Sequence, residues 1–250
     1  MPRFFLPQAA VEDGRLILSG RDARHLSGPL RTRIGDEVVL CDGAGTDYHC
    51  RICRIGRDEI ALEVLHSTPS AGESSCAITL FQCLPKADKL EQIIQKAVEL
   101  GAAEVVPVLS SRSVSRPDAA AAQKKLLRWN DIALEASKQS GRGAIVPVSP
   151  LTAWDDALER LAALEIPLIL YEQDRNAGLP ASLSKTASIG LLIGPEGGLS
   201  PEEVEQAMAA GAAPVWLGPR ILRTETAGPA AIAVLQYLTG NFGPRQVLPY

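Results

Sequence analysis

The chain has little of what marks a cross-linked, metal-bound or membrane protein. Its five cysteines are an odd number and all precede residue 84. A disulfide framework would leave one over, so reduced thiols are the simpler reading. Cys50 and Cys53 form a C-x-x-C, but they lie in the alternating run YHCRICRI, whose period sends them to opposite faces of a strand. A zinc site needs a second ligand pair at suitable spacing; there is none, and no metal is expected. Histidine is confined to residues 25, 49 and 66. The longest uncharged stretch, Thr226 to Pro244, contains Pro229, Gln236, Asn241 and three glycines, so it reads as a buried helix plus tail rather than a bilayer span. The opening MPRFFLPQAAVED has a three-residue apolar run, too short for a signal-peptide core, and a cytoplasmic location is expected. Repeats and low-complexity tracts are also missing. What is present, 46% hydrophobic and 22% charged residues over 250 positions, describes a globular chain with room for two domains.

A net charge of −4 argues against indiscriminate nucleic-acid coating, but the distribution is uneven. Residues 1–35 carry six Arg against three acids, residues 110–145 seven Lys and Arg against three, and residues 146–250 six against eleven. The two basic stretches are either solvated faces or phosphate contacts to a structured RNA.

Up to residue 68 the chain consists of short alternating runs, GRLILSG, DEVVLCDG and YHCRICRI, with Asp42 to Gly45 forming a hairpin connection. All nine basic residues of this β module are Arg, which suits bidentate phosphate contacts. After TPSAGESS the pattern changes to strands alternating with helices, which places a boundary at residue 72 and divides the chain into domains 1–72 and 73–250. AITLFQCL is a buried strand, and the next helix puts Leu90, Ile93, Ile94, Ala97 and Val98 on one face before Gly101. EVVPVL, a helix over about 118–140, AIVPV, a helix from Thr152, PLILYE, SIGLLIG, a helix from Ser200, PVWLG and a last helix to Leu238 follow. This alternation predicts an α/β fold with a mostly parallel sheet covered on both faces.

Ser200, Pro201 and Glu203 form a capping-box helix start, so Gly194 to Leu199 must be a tight strand-to-helix connection at the carboxyl end of the sheet. The loop lacks a P-loop Lys-Ser/Thr, does not fit G-x-G-x-x-G, and has Glu196 where a pyrophosphate would be repelled. An acidic glycine loop suits an uncharged or cationic ligand better. LLIGPEGG at 191–198 is echoed by VWLGPRILRTETAG at 215–228: both run apolar strand, Gly, Pro, and in a parallel sheet both loops could wall one pocket.

LIGPEGGLSPEEVE together with LGPRILRTETAGPAAI resembles the ribosomal RNA small subunit methyltransferase E family, within the SPOUT class of knotted methyltransferases. PRFFL, the His25 to Gly45 segment, KADKLEQIIQKAVELG and EASKQSGR extend the resemblance over almost the whole chain, with departures at Gly28 and Pro29. The resemblance implies a small PUA-like β-barrel followed by a SPOUT-type parallel sheet with a C-terminal trefoil knot. It further implies methylation of a uridine at N3 in 16S ribosomal RNA, as free RNA or in the small ribosomal subunit, with S-adenosylmethionine as cofactor and a homodimer completing the site. A sulfonium ligand without phosphate agrees with the acidic, lysine-free loop.

By the same resemblance, backbone near Leu217, Gly218, Ile221 and Leu222 binds adenine, while Leu170 and Gly194, Pro195, Glu196, Gly197 and Gly198 line the other side and Thr226 joins them. From the residues alone, Ile221 and Leu222 read as plain core. Uridine N3 must lose a proton whose pKa is well above neutrality, and the second domain has no histidine to take it. Arg223 is the candidate for holding substrate or its developing charge, and Arg142 for reaching the site, including from a partner subunit. Glu225 is either a base or a structural residue at the helix start. RNA capture falls to Arg3, Arg21, Arg24, Arg31 and Arg33 on the barrel, with His25 as a base-stacking or structural residue, and to Arg112 and Arg116 after the second strand. Two other readings are an RNA-binding module with a vestigial pocket and a SPOUT enzyme acting on transfer RNA ribose.

Overall fold

A computed structural model describes residues 3–6, 11, 13–28, 32–56, 58–175, 177–180 and 183–242, with the backbone alone for Arg21 and His25. The chain forms two compact units, Met1–Glu73 with Ser137–Ile145, and Ser74–Ala136 with Val146–Tyr250.

The first unit contains β1 (Arg3–Phe5), β2 (Arg15–Ser19), α1 (Gly20–Ser27), β3 (Glu37–Cys41), β4 (Thr46–Ile55) and β5 (Glu59–Pro69). They make a mixed five-stranded sheet in the order β1-β3-β4-β5-β2, with β1 parallel to β3 and the other pairs antiparallel. Period-two alternation sends Leu16, Leu18, Val38, Leu40, Cys50, Ile52, Ile60 and Leu62 into one cluster. Cys50 is buried and Cys53 exposed, as their odd spacing requires. The β3–β4 turn is closed by Asp42, whose Oδ1 accepts from the N–H groups of Ala44 at 2.7 Å and Thr46 at 2.9 Å. Helix α1 departs from the all-strand expectation. Ala23 and Leu26, three apart, pack on the sheet's cluster, so a helical period lies between strand-like runs.

Residues 137–145 join this unit through two arginines expected elsewhere. Arg3, expected at RNA, donates from Nη1 to the Gly141 carbonyl at 2.6 Å and from Nη2 to Asp47 Oδ1 at 2.7 Å and Ser70 Oγ at 2.8 Å. Arg142, expected at the reaction site, is 4% exposed and grips Glu73 in a fork, Nε to Oε1 at 2.9 Å and Nη2 to Oε2 at 2.7 Å. Glu73 Oε1 also accepts from the N–H groups of Gly143 at 2.7 Å and Ala144 at 3.0 Å. Only glycine fits at 143, where a Cβ would stand 2.0 Å from that of Ser70.

The second unit runs β6 (Ala77–Cys83), α2 (Lys89–Glu99), β7 (Glu104–Leu109), α3 (Ala119–Gln139, whose last residues belong to the first unit), β8 (Thr152–Ala153), α4 (Trp154–Ala162), β9 (Ile166–Leu170), β10 (Ser188–Ile193), α5 (Pro201–Ala209), β11 (Ala213–Val215) and α6 (Thr224–Leu238). The six strands are parallel, in the order β11-β9-β10-β6-β7-β8. Alternation splits their side chains between two layers. Ile78, Leu80, Ile189, Leu191 and Ile193 meet Ile93, Ile94 and Val98 of α2 and Ala231, Ile232 and Leu235 of α6. Phe81, Cys83, Val106, Val108 and Leu192 meet Leu158 and Leu161 of α4 and Val204 and Ala207 of α5. Each large aliphatic side chain buried this way contributes about 1.5–3 kcal/mol. The expected AIVPV strand is reduced to bridges: Val148 pairs with Val105, and the Pro147 carbonyl accepts from Val105 N–H at 3.1 Å. Pro147 has no N–H with which to continue a ladder.

Burial alone would push the Glu73 carboxyl up, but Arg142 and the two backbone donors hold it below its ordinary 4.5. A lowered carboxyl stabilises the fold fully above that pH, and the contribution fades as pH falls further. Replacing Glu73 with Gln should therefore cost about 2 kcal/mol near neutrality, roughly 4–8 °C in melting temperature. The same variant should flatten the acid side of the melting profile, which a calorimetric pH series would measure.

Candidate active site at the carboxyl ends of three parallel strands

β10 lies between β6 and β9, and β11 lies beyond β9, so the loops leaving β9, β10 and β11 are neighbours at one edge. They enclose a cavity of about 330 Å³. That is the usual scale of a small-molecule site at the carboxyl end of such a sheet.

The first loop is fixed at both ends. Ser200 Oγ accepts from Glu203 N–H at 3.2 Å, and Glu203 Oε2 accepts from Ser200 N–H at 2.9 Å, completing the capping box. Glu203 Oε1 also accepts from Ser111 N–H at 2.6 Å. At the other end a Cβ on Gly194 would stand 3.1 Å from backbone atoms of Gly198 and Leu199, so a larger residue would have to push that backbone back by a few tenths of an ångström. Arg112 spans the loop, donating from Nη1 to the carbonyls of Gly197 at 2.9 Å and Leu199 at 3.0 Å.

The two loops are joined beneath the cavity. Thr224, opening α6, donates from Oγ1 to the Gly194 carbonyl at 2.8 Å and accepts from Gln82 Nε2 at 3.0 Å. Glu196 and Glu225 both bind Lys89 Nζ, at 3.0 and 3.1 Å. This corrects the reading of the loop as acidic. Lys89 neutralises Glu196, and the lining contains Lys89, Arg220 and Arg223 beside Glu172 and Glu196. Despite partial burial, Glu196 stays below the ordinary carboxyl value through its own backbone N–H, Lys89 and Lys86 N–H. The Glu225 carboxyl is lowered chiefly by its own backbone N–H, then by Lys89 and Arg223.

Among the residues expected from sequence, Leu170, Gly194, Pro195, Glu196 and Gly198 line one side of the cavity. Leu217, Gly218, Ile221, Leu222 and Arg223 line the other. Gly197, Thr226 and Glu225 are adjacent to lining residues without being among them. Ile221 is 87% exposed, so it is no core residue, while Leu222 packs against the hydrophobic layer. Arg142 belongs to the other unit. Arg112 braces the first loop, and Arg116 Nη2 bonds the carbonyls of Ser110 at 3.1 Å and Ser111 at 3.3 Å. Arg24 is exposed, 3.6 Å from Asp58, and Arg33 is exposed. Arg31 and the side chains of Arg21 and His25 lie outside the described residues. Sequence reading missed Lys89, Gln82, Tyr171, Trp216 and Arg220. Lys89 sits in the KADKLEQ motif, but its partner Glu225 is 136 positions away, beyond any local pattern.

Among the described residues no helix is long and apolar enough to cross a membrane, and no His/Cys/Asp/Glu cluster could hold a metal ion.

Comparison with known proteins bears on this geometry. The family model of the RNA methyltransferase domain matches residues 72–236, and that of the RNA methyltransferase PUA domain matches residues 18–65. Ribosomal RNA small subunit methyltransferase E of Bacillus subtilis is 33% identical over 249 residues, covering 96% of this chain and 97% of the relative. The Mycobacterium bovis protein of the same name is 32% identical over 90% of this chain and 87% of its own length. A crystal structure of the Neisseria gonorrhoeae protein of that name, bound to S-adenosylmethionine, superposes with a TM-score of 0.82 at 36% identity, covering 97% of this chain and 100% of the other. The parallel sheet, its paired glycine-proline loops and these matches along nearly the whole length lead to one assignment: the chain belongs to the ribosomal RNA small subunit methyltransferase E family.

Proposed function

We propose that the chain methylates N3 of a uridine in small-subunit (16S) ribosomal RNA, with S-adenosylmethionine as methyl donor. The observation that carries this reading is the cavity at three adjacent strand ends, bounded by a loop packed tightly against Gly194. It fits the cofactor. Leu170, Val215, Leu217 and Leu222 give apolar walls for an adenine, and Gly194 and Gly218, the latter at φ +98, let backbone approach a ligand closely.

When bound, S-adenosylmethionine supplies an electrophilic methyl group on a sulfonium. The chain's residues supply the rest. Leu170, Leu217 and Leu222 exclude water from the adenine side. Arg223, exposed at the rim, holds the uridine and the negative charge that develops when N3 loses its proton. Glu225 is bound to Lys89 at 3.1 Å and is not among the lining residues, so it serves to anchor that lysine, and the N3 proton passes to solvent.

RNA capture falls to residues 1–72, through exposed Arg24 and Arg33 together with Arg21, Arg31 and His25, and methyl transfer to residues 73–250, whose glycine-proline loops form the trefoil knot. A second copy of the chain covers α6. Its outer face exposes Val234 and Tyr237, and no charged residue occurs from Thr226 to Phe242. The substrate, ribosomal RNA or the small subunit, puts the enzyme in the cytoplasm.

The direct test incubates the protein with labelled S-adenosylmethionine and small subunits lacking the modification, then identifies the labelled nucleoside by mass spectrometry. N3-methyluridine is expected; label on ribose or no label overturns the reading. Gly194→Ala pushes a Cβ against the backbone of Gly198 and Leu199, and should weaken cofactor affinity by about tenfold in calorimetry. Replacing Arg31 and Arg33 together should leave cofactor affinity unchanged while lowering the salt slope of RNA binding by up to about 2.

A further inference from the structure

Lys89 is the first residue of α2. Its ammonium is 3.0 Å from Glu196 Oε1 in the loop after β10 and 3.1 Å from Glu225 Oε2 at the start of α6. One cation thus bridges the two chain segments whose loops wall the cavity, and Lys89 itself lines that cavity. An ammonium has three donors. Glu225 accepts one in a hydrogen bond, and Glu196 is held as an ion pair.

The backbone carrying Lys89 is bound to the same loop. Both carboxylate oxygens of Glu196 accept from Lys86 N–H at 3.2 Å. Between Lys86 and Lys89, Ala87 sits at φ +53, a left-handed conformation that a non-glycine residue adopts at a cost of about 1 kcal/mol or more. Bonds to Glu196 from both sides of Ala87 offset that strain. The three side chains are 23–29% exposed, and Lys89 and Glu196 stand at the cavity wall rather than on open surface, where their contact bears directly on the loops.

We infer that Lys89 is a positioning residue of the methyl-transfer site, a clamp that holds the two cavity loops at the separation that admits S-adenosylmethionine. The inference rests on the proposed function, since it concerns how that cavity takes its ligand. Lys89 stays protonated throughout and takes no part in bond making. Its effect belongs to cofactor affinity rather than to global stability.

Calorimetric titration with S-adenosylmethionine and S-adenosylhomocysteine tests it on the full-length protein, with melting temperatures measured alongside. Lys89→Met should weaken both ligands by about tenfold while the melting temperature moves by no more than about 2 °C. Lys89→Arg, which keeps the charge, should recover part of the loss. Glu225→Gln should weaken binding by itself, yet add nothing to Lys89→Met in the double variant, because the two act through one contact. Added salt should weaken S-adenosylhomocysteine binding by the wild type and leave that of Lys89→Met unchanged. Wild-type affinity in Lys89→Met, additive losses in the double variant, or a loss that tracks melting temperature and is not recovered by Lys89→Arg would each overturn the clamp. A wild-type protein that binds neither ligand overturns the proposed function itself, and the clamp with it.

Discussion

The candidate site depends on a hydroxyl shared between two segments that meet under the cavity. Thr224 Oγ1 donates a hydrogen bond to the Gly194 carbonyl and accepts one from Gln82 Nε2, on a side chain with no exposed surface. Gln82 Nε2 is the end of the amide that finds partners, its Oε1 meeting none among the described residues, and losing a buried hydrogen bond of this kind costs about 1–3 kcal/mol. The exchange therefore sets both where the first loop leaves β10 and where α6 begins. Arg223, Glu225 and Lys89 take their places from those two points, as does the close approach of Gly194 to Leu199.

The parts of the fold legible in the sequence are those written in short-range periodicity. The five buried residues of α2, the Ser200–Glu203 cap, and the opposite burial of Cys50 and Cys53 all follow from spacings of two to four residues. Where the sequence reading went astray, local pattern was weak or a distant partner decided. Helix α1 is short and lies among strands, and Pro147 interrupts an apolar run that otherwise reads as β. Arg3 and Arg142 sit in segments rich in positive charge, and the sequence reading put the first at RNA and the second at the reaction site. Their partners, Gly141 and Glu73, lie 138 and 69 positions away, and such pairings leave no trace in a window of ten residues.

Charge at the site shows the same limit. Read along the chain, Glu196 makes its loop acidic; read in space, the loop is neutralised by a lysine from another element. What distinguishes the cavity is therefore less its net charge than its shape and close backbone approach. Both come from glycines whose spacing was visible, although the atoms they accommodate were not.

Residues 137–145 have a consequence for how the protein can be divided. The first unit is completed by a segment that arrives only after β6, α2, β7 and most of α3 have been made. An amino-terminal fragment ending at Glu73 would carry a carboxylate stripped of its guanidinium and an arginine without its carbonyl. On the ribosome the first unit is completed only once residues 137–145 have emerged, after more than half the chain has been made.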